Sequence, residues 1–120
     1  MAKKILIIDD ELSTLKLLKN RLASEGYDIV TARDGKSGIA QAEKEKPDLI
    51  LLDVVLVGSS GYNICKSIKS NEATKAIKVI IFTNKLEAVD GVEARKSGAD
   101  EFIAKLADST LLLETIRTLI

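Results

Sequence analysis

Five short apolar runs recur along the chain with room for one helix between each pair: "KILII" at residues 4–8, "DIVTA" at 28–32, "DLILLD" at 48–53, "KVIIFT" at 78–83 and "EFIA" at 101–104. Their length and β-branched character predict strands. Between them, Leu15, Leu18 and Leu22, then Ile64 and Ile68, then Leu112, Ile116 and Leu119 fall at helical spacing. Strand and helix in repeated alternation predict right-handed βαβ units around a parallel sheet covered on both faces. The third and fourth runs are almost continuously apolar, which suits the middle of such a sheet. The expected fold is therefore α/β, a parallel sheet of five strands doubly wound by five helices, for which the order 2-1-3-4-5 is taken from known five-stranded doubly wound sheets. Gly26 and Gly98 read as the ends of the first and fourth helices, Ser109 as the N-cap of the last and Pro47 as the stop of the second. "GSSG" at 58–61 reads as a loose loop.

At 120 residues the chain is expected to form one domain over 1–120. Eighteen basic residues balance eighteen acidic ones, which argues against nucleic acid or an anionic membrane as a direct partner. The absence of histidine removes histidine-based triads, the usual zinc sites and the commonest general base. A lone Cys65 and an apolar start of only four residues, Ile5 to Ile8, point to a reducing, cytoplasmic location.

Those four residues lead straight into Asp9, Asp10 and Glu11. Adjacent carboxylates repel one another, and burial at a strand end raises the cost, so a positive charge is required on top of them. In a doubly wound sheet, ligands bind beyond the carboxyl ends of the strands, at the switch point. Strands one and three are neighbours in the expected order, so Asp53, at the end of the third run, converges on Asp9 and Asp10. Hard oxygen donors there suit Mg²⁺, which takes one or two carboxylates, waters and a phosphate. Glu11 is read instead as an acid favoured by a helix N-terminus. Thr83 ends the fourth run and Lys105 follows the fifth. A hydroxyl and an ammonium at those edges suit an anion bridging metal and carboxylate.

With these residues assembled, the chain resembles the receiver domain of two-component response regulators along its whole length. The likeness is carried by Asp9 and Asp10 after "ILII", Asp53 after "DLILL", Gly61, Thr83 after "VIIF" and "GADEFIAK" ending at Lys105. The resemblance implies a flavodoxin-like receiver fold in which Asp53 accepts a phosphoryl group from a phosphohistidine of a sensor histidine kinase or phosphotransfer protein. It implies Mg²⁺ bound directly by Asp10, Asp53 and the backbone carbonyl of Val55, with Asp9 acting through water. Thr83 and Lys105 would hold the phosphoryl oxygens, and Phe102 would turn inward as Thr83 moves. The switched surface would be the fourth helix, fifth strand and last helix, facing an effector, an output domain or a second copy. The chain would be an acceptor with at most slow autodephosphorylation rather than a turnover enzyme.

Two loops depart from the family pattern: Leu106 replaces the proline after Lys105, and Leu56-Val57 replaces Met-Pro in the loop after Asp53. Apolar Val55, with Asn84 and Lys85 nearby, is expected to hinder a hydrolytic water. The rival readings are an interaction module that no longer accepts phosphate, a Mg²⁺ phosphohydrolase, and a mononucleotide or flavin binder. The second lacks the second Asp of a DxDxT/V motif, and the third lacks any GxxxxGK or GxGxxG loop.

Overall fold

A computed structural model describes residues 2–84, 91–105 and 109–120. The elements run β1 (Lys4–Ile8), α1 (Leu12–Ser24), β2 (Asp28–Ala32), α2 (Gly35–Glu45), β3 (Leu49–Leu52), β4 (Val55–Leu56), β5 (Ser59–Ser60), α3 (Gly61–Ser70), β6 (Lys78–Thr83), α4 (Gly91–Lys96), β7 (Glu101–Ala104) and α5 (Ser109–Leu119). The main sheet is β2-β1-β3-β6-β7, all parallel. This is the expected 2-1-3-4-5 order, because β4 and β5 form a separate two-stranded sheet.

Successive strand residues point to opposite faces, so each central strand feeds two cores. Ile5, Ile7, Leu49, Leu51 and Ile80 pack with Leu15, Leu18 and Leu22 of α1 and with Leu112, Leu113 and Ile116 of α5. Leu6, Ile8, Ile50, Leu52 and Ile81 pack with Ala42 of α2 and with Ile64, Cys65 and Ile68 of α3. Ile5 to Ile8 and Leu49 to Leu52 are almost wholly removed from water. Burial at this level contributes roughly 1.5 to 3 kcal/mol for each such side chain.

The helix ends follow from local chemistry. Gly26 and Gly98 adopt positive φ after α1 and α4, as expected of residues past a helix end. Lys46 takes a left-handed conformation between α2 and Pro47. Asp34 caps α2 by accepting from the Ser37 amide at 2.8 Å. Ser109 is the first residue of α5, and the position that would cap it lies outside the described residues.

Two expectations need correcting. The third strand is shorter than 48–53: Asp48 precedes it, its carboxylate accepting from the Lys4 amide at 2.8 Å, and Asp53 lies just past its end. The "GSSG" segment is not loose. Ser59 and Ser60 pair antiparallel with Leu56 and Val55. Gly58, at φ +75°, occupies the turn position that a type II turn reserves for glycine, and such turns splay their strands, which fits a hairpin of two pairs.

Candidate functional site

The ladder continues one residue past the strand ends and places the polar side chains. The Asp9 amide donates to the Ala32 carbonyl at 3.1 Å, the Asp53 amide to Ile8 at 3.0 Å and the Lys105 amide to Thr83 at 2.9 Å. Rungs on four neighbouring strands thus aim Asp9, Asp53, Thr83 and Lys105 over one end of the sheet. One carboxylate oxygen each from Asp9, Asp10 and Asp53 lies within 4.8 Å of the others. The distant sequence positions converge as expected.

Burial is uneven across the cluster. Asp9 is 2% exposed and Asp53 8%, whereas Asp10 is half-buried. The Lys105 ammonium donates to Asp9 Oδ2 at 2.6 Å and to Asp53 Oδ2 at 3.1 Å. It lies 4.0 Å from Glu11. The second oxygen of Asp9 accepts the Glu11 amide at 2.9 Å. Asp53 Oδ1 faces the Val55 amide at 3.3 Å.

Three clustered carboxylates against one ammonium leave an anionic pocket. Burial lifts Asp9 above the usual carboxylate value, and Lys105 and the Glu11 amide only partly offset it. Burial also pulls the Lys105 ammonium down, but its hydrogen bond to Asp9 and the charge of Asp53 outweigh that, so its pKa is raised. Lys105 therefore stays charged at neutral pH.

An open pocket of about 300 Å³ above the carboxylates is lined by Asp10, Glu11, Asp53, Val55, Thr83, Asn84 and Lys105. Thr83 is 1% exposed at its base, and the Val55 side chain is 54% exposed at its mouth. A larger groove of about 470 Å³ between α1 and α5 shares Asn84 and Lys105 but contains none of the carboxylates. Phe102 stands apart, half-buried on β7 opposite Ile81 and packed against the core on the α2 and α3 face. Glu11, as expected of an acid at a helix start, is the exposed N-cap residue of α1. Lys85 and the Lys105–Leu106 peptide lie outside the described residues.

The donor set fits a hard divalent cation: three clustered carboxylates, with Asp10 unpaired by any cation among the described residues. Gly61 shapes this floor. A Cβ there would lie 2.1 Å from the Asp53 carbonyl oxygen and 2.7 Å from Val54 Cα, so only glycine lets α3 start so close to the Asp53 loop. Sequence reasoning missed Arg33, whose guanidinium reaches the Asp10 carbonyl at 3.1 Å. It follows Ala32, the β2 residue opposite Ile8, a register that the structure supplies.

Comparison with known proteins bears on this geometry. The family model described as response regulator receiver domain matches residues 5–117. The response regulator PleD of Caulobacter vibrioides is 34% identical over 99% of this chain, which spans 26% of that protein. Protein PilH of Pseudomonas aeruginosa is 34% identical over 98% of the chain and 97% of its own length. Among solved structures, the response regulator TrrA of Thermotoga maritima, in complex with Mg(2+)-BeF, superposes with a TM-score of 0.90 at 30% identity, covering 98% of this chain and 99% of that one.

Proposed function

The chain belongs to the response regulator receiver domain family of two-component signalling, and from that premise we propose that residues 1–120 act as one phosphoacceptor unit with Asp53 as the acceptor. A carboxylate oxygen of Asp53 attacks the phosphorus of a phosphohistidine on a histidine kinase or phosphotransfer protein. The P–N bond breaks, and the imidazole nitrogen keeps its electron pair and takes a proton. The observation that carries this reading is the nearly buried Asp53 carboxylate, held 3.1 Å from Lys105 in a pocket open to solvent.

Asp10, Asp53 and the Val55 carbonyl would hold Mg²⁺, with Asp9 one water further out. When bound, that ion supplies the charge that lets an anionic phosphoryl group approach an anionic acceptor. The protein's own groups do the rest. Lys105, already between Asp9 and Asp53, turns toward the incoming phosphoryl oxygens. Thr83, at the pocket base, donates its hydroxyl to one of them and is drawn inward. Phe102 repacks as Thr83 moves, which shifts the population of the α4, β7 and α5 surface toward a form read by an effector, an attached output domain or a second copy. Among the described residues no helix is long and apolar enough to cross a membrane, and a cytoplasmic location is part of the same proposal.

Intact mass after incubation with Mg²⁺ and acetyl phosphate tests the assignment. One added phosphoryl on the wild type and none on Asp53→Asn is the expected result. No addition to the wild type would favour the interaction module that does not accept phosphate, and turnover of small phosphate esters would favour a phosphohydrolase.

A further inference from the structure

Asp10 is the least secured member of the carboxylate cluster. Asp9 is tied by the Ala32 carbonyl, the Glu11 amide and Lys105, and Asp53 by the Ile8 carbonyl, the Val55 amide and Lys105. Among the described residues, Asp10 takes part in one hydrogen bond, from Arg33 Nη2 to its backbone carbonyl. Helix α1 does not use that carbonyl, since its first bond beyond the helix proper runs from the Leu15 amide to Glu11. Nor does the N-cap residue Glu11 offer its side chain to the helix amides.

Arg33 is well placed for this contact. It follows the last β2 residue, whose partner Ile8 precedes Asp9, so it emerges beside the β1–α1 loop. The adjacent carboxylate is not available to hold it back: Asp34 Oδ1 caps α2, bonded to the Ser37 amide at 2.8 Å and its hydroxyl at 2.9 Å. Arg33 is exposed and is not one of the residues lining the pocket, and its contact is with the Asp10 backbone.

We propose that Arg33 is a positioning residue for the divalent cation: its guanidinium holds the Asp10 peptide so that the Asp10 carboxylate stays in the cluster with Asp9 and Asp53. The proposal rests on the receiver reading of the pocket. Outer contacts that orient metal ligands typically change affinity by about 10- to 100-fold. For an exposed contact to a ligand's backbone the effect belongs below that range, at about three- to tenfold.

The sign separates this role from a purely electrostatic one. A guanidinium near a cation site repels the cation, so a residue acting by charge alone would tighten binding when removed. A residue that fixes the Asp10 peptide would weaken binding when removed. Mn²⁺ titration of the metal-free protein by calorimetry reads this directly. Arg33→Ala is expected to lose about three- to tenfold in affinity, and Arg33→Lys, which keeps a donor of similar reach, to recover most of it. In metal-free Arg33→Ala, the Glu11 amide should exchange faster while the urea midpoint stays at the wild-type value. Unchanged or tighter Mn²⁺ binding in Arg33→Ala, with binding by the wild type, overturns the proposal alone. No Mn²⁺ uptake by the wild type overturns the metal pocket and this proposal with it.

Discussion

Replacing Lys105 by methionine keeps an apolar stem of the same length as far as the ε-carbon and removes the charged ammonium. The ammonium bridges Asp9 Oδ2 at 2.6 Å and Asp53 Oδ2 at 3.1 Å, and all three side chains are at most 9% exposed. Breaking a buried pair by deleting one partner costs about 3 to 5 kcal/mol, because the other charge is left uncompensated. Here one ammonium serves two carboxylates, but the pocket mouth admits water, so the lower end applies, about 3 kcal/mol. Urea denaturation without divalent cations should show this loss. Saturating Mg²⁺ should restore more stability to Lys105→Met than it adds to the wild type, because the cation replaces the missing charge.

The pH dependence has a defined sign. The folded-state pKa of Lys105 is raised above 10.5, so its contribution is complete below pH 10.5 and is lost as pH rises through the folded value. Asp9 is raised above 3.8, so its own ionisation works against the folded state as pH rises through its folded value. The gap between wild type and variant should therefore be flat across neutral pH, close above pH 10.5 and narrow in acid as Asp9 protonates. A variant within about 0.5 kcal/mol of the wild type at neutral pH, or equal stabilisation of both by Mg²⁺, would refute the idea that Lys105 holds the anionic cluster together.

Gly61→Ala should cost roughly 3 kcal/mol and slow phosphoryl uptake, because the new Cβ meets the Asp53 carbonyl oxygen at 2.1 Å and backbone must move; thermal melts and intact mass check it. Asp100→Ala should cost about 2 kcal/mol in urea denaturation with phosphoryl uptake unchanged. Its Oδ2 accepts from Lys69 at 2.7 Å and from the Val79 amide at 2.8 Å, far along the sheet from Asp53. Val55→Asn should hasten loss of the phosphoryl group several-fold, since an apolar side chain 54% exposed at the pocket mouth gives way to one that can order a water. A phosphate-release assay in which both forms decay within seconds at one rate would contradict that.

The parallel sheet was legible because the signals are periodic and local, while its strand order came from the known doubly wound fold and not from those signals. Four-residue apolar runs such as Ile5 to Ile8 suit a sheet covered on both faces, and the interleaved leucines of α1 and α5 supply one cover. Convergence of Asp9, Asp10 and Asp53 followed from strand order alone, since ligand sites gather where parallel strands end. The hairpin of Val55–Leu56 with Ser59–Ser60 was not legible, because two pairs across a glycine turn leave no periodicity to read.

What the sequence by itself determined is which residues stand in which row. The side-chain period of two and the β1–β3 pairing place carboxylates at the same end of the sheet whatever the loops do. Which charge answers which was decided only in three dimensions. Lys105 bridges Asp9 and Asp53 rather than Asp10, and Arg33 takes the Asp10 carbonyl rather than a carboxylate. Such choices depend on distances of an ångström or less between groups far apart in the chain, and those distances exist only once both cores have closed on the sheet.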